Sequence, residues 1–442
     1  MQKKSSGLER ESFSSRFGVI AAAAGSAVGL GNIWRFPYLL GENGGAAFLL
    51  LYLFIALLIG IPIMMSEMLI GRLSRKNVIG AFHFLTPGRP WFLVGVMGVG
   101  AAFVIMAFYS VVGAWTIEYF YASMTRSLEG LSVEQLNDYY LHFTTDFYRP
   151  VLWTLLFMAL NVIIVMGGVK GGIEKYSKFL MPLLFVIIVF LMFRSLSLDG
   201  AWAGVEFLFK PDFSKMTAKT VMVALGQVFF SMSIGMGVMA TYGSYISKKE
   251  RLGNTAISVT SVDTLVAVLS SLVIFPAVFA FGLKPDAGPG LVFVTLPNIF
   301  AKMGGGFLFA SLFFLLLSIA ALTSTFSLLE VVVAYFTEEL QMKRRVATLV
   351  AAVVMTVMSV FCVKYAAFFS VLEFLSSNIL LPVGGMFIVL FVVWVLQRHV
   401  VKNELEAGGN TMKFFPVFWW LIKFIAPLAI ALVFLNGLGW LG

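Results

Sequence analysis

The chain has 442 residues, of which 60% are hydrophobic and only 12% charged, and its mean hydropathy is +0.94. A soluble chain carries about twice that charged fraction, so the composition excludes a soluble globular protein. The formal net charge of +9 fits either an anionic partner or the excess of Lys and Arg on one side of a membrane protein. The composition favours the second explanation, and we expect no nucleic-acid partner.

Runs of about 20 apolar residues recur along the chain, and each can cross about 30 Å of hydrocarbon. The polar segment 1–16 leads directly into the first run, without the pattern of a secretory signal peptide. The sequence therefore predicts an all-α polytopic membrane protein with about eleven transmembrane helices, embedded in the lipid bilayer. The predicted spans are 17–41, 44–71, 90–121, 150–168, 173–195, 220–246, 255–282, 305–336, 346–363, 367–396 and 414–440.

Lys and Arg residues in the connections predict the orientation of the chain, because cytoplasmic loops carry an excess of them. One alternating set of connections, together with the N-terminal segment, is rich in Lys and Arg, and the other set is poorer. The N-terminus is therefore predicted to be cytoplasmic, in a bacterial plasma (inner) membrane. The basic set comprises Lys3, Lys4, Arg10, Arg16, Arg72, Arg75, Lys76, Arg89, Lys170, Lys175, Lys178, Lys248, Lys249, Arg251, Lys343, Arg344, Arg345, Arg398 and Lys402.

Two of the predicted outer connections are long. Residues 122–149 are mostly polar, and residues 283–304 contain the apolar run LVFVTLPNIF. That run is too short to cross a membrane. It is compatible with a helix folded over an external vestibule and equally with an interfacial helix.

The first predicted span contains AAAAGSAVGLGNIWRFP, in which glycines, Asn32, Arg35 and Pro37 interrupt the apolar run. Irregular backbone at membrane depth is tolerated only where it is buried in protein or lines a cavity, because lipid cannot satisfy free N–H and C=O groups. The break therefore predicts a binding site within the membrane.

The sixth predicted span carries a similar break, SMSIGMGVMATYGSY, in which two serines and two glycines interrupt the apolar run. Five spans separate the two breaks, and an odd number gives the two segments opposite orientations in the membrane. Paired interrupted spans in inverted halves indicate a transporter site near the midplane, although glycines also serve close helix packing. We expect one inverted repeat over 17–196, a second over 217–398, and an added helix at 414–440.

Polar side chains in other spans are candidates for the same site. Asp263 is an isolated acid in an apolar run, and the default interpretation of such a residue is a cation ligand or proton carrier. A structural Asp bonded to neighbouring hydroxyls is the alternative. Thr323, Ser324 and Thr325 are either cation ligands or hydroxyls bonded to the preceding helical turn. A phosphate-binding loop of the G-x-x-x-x-G-K-[ST] type is missing from the sequence, so we expect transport to be driven by ions.

The segments GSAVGLGNIWRFP, ENGG, GIP, GQVFFSMSIGMG, IAALTST and SSNILLP resemble the neurotransmitter:sodium symporter family, in particular its bacterial branch. The resemblance implies a leucine-transporter-like fold, with two inverted five-helix repeats and broken helices 1 and 6. It also implies sodium-coupled symport of hydrophobic or aromatic L-amino acids by alternating access, and not an enzyme. A proton-coupled carrier of the same fold and a non-transporting amino-acid sensor are the rival interpretations.

The resemblance also implies two sodium sites and a substrate site. Hard oxygen ligands suit such a cation. The first sodium site would use Ala27, Asn32, Ser231 and Asp263, and the second would use Gly25, Val28, Ala320, Thr323 and Ser324. The substrate would be bound by Ser26, Ala27, Leu30, Gly31, Ile105, Tyr109, Phe230, Ser231, Ser233, Met236, Ser324 and Leu328.

Gates are implied in the same way: Arg35 with Glu373 outside, and Arg10 with Glu338 inside, with Phe13, Ser244 and Tyr245 nearby. The chain departs from the animal members at Asp263 and Ala267, where they typically carry Asn and Ser and bind chloride. A fixed carboxylate beside Tyr52 and Gln227 could replace that anion. We therefore expect no chloride requirement.

Overall fold

The computed structural model describes residues 11–283, 291–409 and 411–440, and every regular element in this part of the chain is a helix. Arg10, one of the predicted gate residues, lies outside the described residues. The prediction of an all-α fold with many transmembrane helices is confirmed within these described residues. Asp and Glu are sparse within the spans, as expected for helices that contact lipid or one another.

Within the described residues, nine helices are long and apolar enough to cross a membrane, and a bent helix pair forms a tenth span. A further pair of short helices occupies the position of the predicted sixth span, which completes the eleven. The spans are Arg16–Ala27 with Gly31–Glu42 (span 1), Ala46–Ser74 (span 2), Phe92–Met124 (span 3), Tyr148–Met166 (span 4), Val169–Leu196 (span 5), Ala218–Ser231 with Val238–Tyr245 (span 6), Leu252–Ala280 (span 7), Gly306–Glu338 (span 8), Arg344–Lys364 (span 9), Ala366–Val395 (span 10) and Phe415–Gly437 (span 11).

Shorter helices connect the spans. The sequence analysis had predicted a helix for only one of these segments, the apolar run of the second long connection. Local capping explains two of them: the Asn77 side chain accepts N–H groups at the start of one helix, and Ser132 forms a capping box with Gln135 at another. The apolar run of the second long connection is also a helix, and most of its residues are buried. The connecting helices are Val78–Leu85, Val133–Thr145, Ala201–Phe209, Leu291–Ala301 and Arg398–Leu405.

Spans 2 and 6 approach each other closely through glycine. A Cβ atom on Gly71 would overlap the carbonyl oxygen of Ala240, and one on Gly243 would overlap the carbonyl oxygen of Met68. Small residues allow this approach between membrane helices, where packing replaces the hydrophobic driving force. The inner half of span 6 is therefore held against span 2 along its backbone.

Gly71→Ala is expected to lower the stability of the protein by about 1–3 kcal/mol, because the added methyl group forces the two backbones apart. The measurement is the apparent melting temperature of the purified protein in detergent. Gly100→Ala in span 3 is the matched control, since no described atom lies within 4 Å of the position of its Cβ. Equal melting temperatures for the two variants would contradict the close contact.

Candidate ion and substrate site

The break in span 1 is a short extended segment between two helical halves that are bent by 53°. The first half ends at Ala27, and Val28 has extended backbone angles (φ −70°, ψ 104°). The second half begins at Gly31 as a wide π-helical turn. A Cβ on Gly29 would lie 2.6 Å from the Tyr109 hydroxyl and would overlap the Ser324 hydroxyl. Glycine at this position lets spans 3 and 8 reach the broken backbone.

The break in span 6 requires backbone angles that glycine adopts easily. Ser233, Gly235 and Gly237 have φ values of +54°, +83° and +75°, in the left-handed region that residues with a Cβ rarely occupy. Glu67 of span 2 is fully buried and accepts the N–H groups of Gly235 (3.1 Å) and Ala240 (3.4 Å). A carboxylate at the start of a half-helix satisfies its free N–H groups and its dipole.

The two breaks meet at Asp263 of span 7, which is completely buried. Asn32 Nδ2 lies 2.7 Å from Asp263 Oδ1, and Ser231 Oγ lies 2.9 Å from the same oxygen. Tyr52 donates its hydroxyl to Asp263 Oδ2 at 3.0 Å. No Lys or Arg forms an ion pair with Asp263 among the described residues. Three residues of the predicted first sodium site, Asn32, Ser231 and Asp263, are therefore in contact around a carboxylate that neutral donors support. Asn32 presents its amide nitrogen to this carboxylate, and its amide oxygen accepts the Gly29 N–H at 3.1 Å.

A second group of oxygen atoms lies where span 8 passes the break in span 1. The Thr323 and Ser324 hydroxyls lie 3.5 and 3.4 Å from the carbonyl oxygen of Val28, and Thr323 Oγ1 lies 3.0 Å from Ala320 O. Two ligands bound at right angles, each about 2.4 Å from one cation, stand about 3.4 Å apart. A Cβ on Gly25 would lie 3.4 Å from Thr323 Cβ, so Gly25 is a neighbour of this group of oxygen atoms.

A narrow cavity separates the two breaks and extends toward span 3. The Ser26 and Ser233 hydroxyls, one from each break, are 3.4 Å apart at one side of it. Leu30 does not line this cavity, and its N–H instead donates to the Tyr109 hydroxyl at 2.8 Å. Gly29 lines the cavity although the sequence analysis did not include it. The other lining residues are all among the predicted ones: Ser26, Ala27, Gly31, Ile105, Tyr109, Phe230, Ser231, Ser233, Met236, Ser324 and Leu328.

The outer side of the cavity is covered by aromatic rings. Phe230 separates it from a second cavity, which both Arg35 and Glu373 line, and the Arg35 guanidinium lies 4.6 Å from the Phe230 ring centre. In the described structure Arg35 and Glu373 form no ion pair with each other. Phe293 of the helix Leu291–Ala301 packs edge-on against Trp34 at 6.1 Å, so this helix closes over the outer vestibule.

The opposite side, predicted to face the cytoplasm and called the inner side, is sealed by the N-terminal segment. Phe13 N–H donates to Tyr245 O at 3.2 Å, and the Phe13 ring packs against Tyr242 at 5.7 Å. Ser14 donates its N–H to Glu174 of span 5 at 2.8 Å. Span 5 is wound into a helix from Val169 in this state.

The sequence analysis missed the acid at the centre of the inner seal. Tyr245 donates its hydroxyl to Glu330 at 2.7 Å, and Glu330 pairs with Arg344 at 2.5 Å. Glu338, the predicted partner of Arg10, accepts the N–H of Asn77 at 2.8 Å. Glu330 is an isolated acid in an apolar run, as Asp263 is, and the same signal in the sequence could have identified it.

Two broken helices that meet at a buried polar site, within a bundle of membrane-spanning helices, are the features of a secondary transporter and not of an enzyme. The Sodium:neurotransmitter symporter family model matches residues 10–139 and 139–439, and the chain belongs to this family. It is thus a sodium-dependent, multi-pass membrane transporter.

Similar proteins are found across nearly the whole chain. The sodium-dependent transporter YhdH of Bacillus subtilis is 38% identical over 97% of each chain. The bovine sodium-dependent dopamine transporter is 25% identical, over 95% of this chain and 68% of its own length. The crystal structure of MhsT in complex with L-phenylalanine is 42% identical, covers 97% of this chain and 100% of its own, and superposes with a TM-score of 0.89.

Glu330→Gln is expected to loosen the inner seal, because Arg344 loses its charged partner and Tyr245 loses a charge-assisted hydrogen bond. A loss of about 1.4 kcal/mol would make the Phe13 and Ser14 amides exchange hydrogen about tenfold faster. Hydrogen exchange with mass spectrometry on the peptide 11–18 measures this. Glu206→Gln, which breaks an exposed pair with Lys210, is the control. Unchanged exchange in the peptide 11–18 of the Glu330 variant would refute the role of Glu330.

Proposed function

We propose that the protein is a sodium-coupled symporter that takes up hydrophobic and aromatic L-amino acids by alternating access, without chloride. The observation that carries the proposal is the cavity between the two helix breaks, which adjoins both groups of oxygen atoms. Backbone N–H groups at a helix break suit a carboxylate, and the carbonyl groups suit an ammonium. The Leu30 N–H, which donates to the neutral Tyr109 hydroxyl in this state, lies beside the cavity. A zwitterionic amino acid carries both of these groups, a carboxylate and an ammonium.

The lining of the cavity supports a large apolar side chain. Ile105, Phe230, Met236 and Leu328 supply most of the apolar surface, and Met adapts to side chains of different shapes. The phenylalanine in the MhsT complex, a structure 42% identical to this chain, supports the same substrate class.

Asp263 supports the chloride-independent part of the proposal. Its carboxylate is a fixed negative charge in contact with Tyr52, Asn32 and Ser231. A cation bound at these oxygens would be neutralised by Asp263 without a mobile anion. We further propose two sodium sites, inverted repeats over 17–196 and 217–398, and a cytoplasmic N-terminus in the bacterial inner membrane.

Alternating access would require each seal to open in turn. The outer cover depends on aromatic contacts and on the cavity that Arg35 and Glu373 share, whereas the inner seal depends on Glu174 and Glu330. Gly171 and Gly172 at the start of span 5 are proposed to let this segment unwind, which would release Ser14 and admit water to the second sodium site.

Radiolabelled Phe, Trp, Leu and Tyr are expected to accumulate in proteoliposomes with an inward sodium gradient, and not with potassium or lithium. Uptake is expected to be equal in chloride and gluconate. Asp263→Asn removes the fixed charge, so its residual uptake is expected to depend on chloride. Strong chloride dependence of the unmodified protein would refute the anion-free mechanism. Accumulation driven by protons alone would favour the proton-coupled carrier, and binding without accumulation would favour the sensor.

Thr323→Val is expected to weaken sodium activation of phenylalanine binding at least about tenfold, because a methyl group replaces one oxygen ligand at the second site. Scintillation proximity binding at graded sodium concentrations measures this. Thr325→Val is the matched control two residues along the helix, since the Thr325 hydroxyl bonds to Ala321 O at 2.9 Å in its own helix. Equal sodium dependence of the two variants would remove Thr323 from the site.

A further inference from the structure

A large open cavity lies far from the transport site, where the helix Arg398–Leu405 meets the start of span 11. Its volume is about 700 Å³, comparable with pockets that hold small ligands. Arg398, His399 and Lys402 line it from the helix, and Lys413 and Phe415 line it from the segment that follows. We call this the basic cavity. The proposed transport cycle does not use it.

The charges of the basic cavity are not neutralised by the protein. Arg398, Lys402 and Lys413 carry positive charge, and the only carboxylate in the lining is Glu406. None of these three cations forms an ion pair within the described part of the chain. The Arg398 guanidinium instead lies 5.7 Å from the ring centres of both Phe415 and Trp419, which fixes it in place and leaves its donors available. A multiply charged anion would satisfy this arrangement.

Large exposed aromatic side chains lie within four residues of the lining residues along the chain. Trp394 is 67% exposed, Phe414 75% and Trp420 53%. Lys423, about two turns into span 11, lies 5.5 Å from the Trp394 ring centre. Exposed Trp residues at the ends of spans are typical of the level of lipid headgroups. A free anion in water would not contact these exposed aromatic side chains, whereas a phospholipid would contact them with its glycerol and acyl chains.

The helix that carries the cavity is held rigidly from its opposite side. Val401, Glu404 and Leu405 are buried, and Glu404 pairs with the buried Arg72 at the inner end of span 2 at 2.5 Å. Arg72 also donates to Glu250 O at 2.7 Å. The cationic side chains therefore project from a fixed support, which lowers the entropy cost of binding.

We propose that the basic cavity binds the phosphate headgroup of an anionic phospholipid, such as phosphatidylglycerol or cardiolipin. Arg398, Lys402 and Lys413 contact the phosphate oxygens, and the exposed aromatic side chains contact the acyl region. Basic pockets between helices at a membrane surface are known to favour such headgroups. The proposal does not depend on the transported substrate or on the coupling ion.

The test is lipid binding by native mass spectrometry of the purified, delipidated protein, titrated with phosphatidylglycerol, cardiolipin or phosphatidylcholine. The triple variant Arg398→Gln, Lys402→Gln and Lys413→Gln is expected to bind the anionic lipids about tenfold more weakly or worse. The control triple variant is Lys76→Gln, Lys343→Gln and Arg345→Gln, which removes three exposed charges from other loops of the predicted cytoplasmic set. It is expected to bind them as the unmodified protein does.

Two further measurements distinguish lipid binding from binding of a free phosphate and from misfolding. Soluble glycerol phosphate is expected to compete poorly, and equal binding of glycerol phosphate and phosphatidylglycerol would overturn the lipid assignment. The double variant Arg398→Lys and Lys402→Arg keeps both positive charges and is expected to bind the anionic lipids. Retained binding would show that the triple variant loses binding because it loses charge and not because it misfolds. Equal loss in both triple variants, or binding of phosphatidylcholine as tight as that of phosphatidylglycerol, would overturn the proposal.

Discussion

The carboxylate of Asp263 is the point at which the two broken helices are joined. It receives Asn32 from the break in span 1 and Ser231 from the break in span 6, so both irregular segments end on one buried acceptor. Burying a charge away from water is costly unless it is paired or well hydrogen-bonded. Three neutral donors provide part of that compensation. In the proposed mechanism a bound cation would complete it, and this would link the geometry of both breaks to the occupancy of a single ion site.

The described state is closed on both sides of this site, and the two closures differ in chemistry. The outer cover consists of aromatic contacts, with Phe293 reaching Trp34 and Phe230 lying under Arg35. The inner seal consists of charge-assisted contacts, with Ser14 on Glu174 and Tyr245 on Glu330. Aromatic contacts gain most of their stability from the apolar area that they bury, whereas a buried charge is left uncompensated when its partner moves or is lost. The outer cover is therefore sensitive to the loss of aromatic side chains, and the inner seal is sensitive to the loss of charge.

The sequence predicted the fold, and most of the candidate site lies where it was expected. The ends of the spans could be predicted because apolar runs stop where polar residues begin. The breaks could be predicted because Gly and Ser interrupt those runs. The helix Val133–Thr145 was missed because its apolar residues are few, and local capping at Ser132 decides its start. The sequence could suggest Arg35 and Glu373 as a pair, but it could not show that they are separated in this conformational state.

The four acids buried within spans 2, 3, 7 and 8 show why a residue pattern alone does not assign a role. Glu118 pairs with Arg149 at 2.6 Å and Glu330 with Arg344 at 2.5 Å, so both are neutralised by the protein itself. Glu67 is satisfied by backbone N–H groups of span 6, which follows it by 168 residues at Gly235.

Asp263 alone among these four has neither a basic partner nor a helix N-terminus within the described residues. In the sequence all four acids are isolated charges in apolar runs, and only their tertiary contacts distinguish them. The negative charge of an acid that is paired with Lys or Arg is already neutralised and does not attract a mobile cation. An acid that is bound only by neutral hydroxyl and amide groups can still bind one. The tertiary contacts therefore support the proposal that Asp263 exchanges a cation during transport, whereas the other three acids are bound to basic side chains or to backbone N–H groups of neighbouring helices.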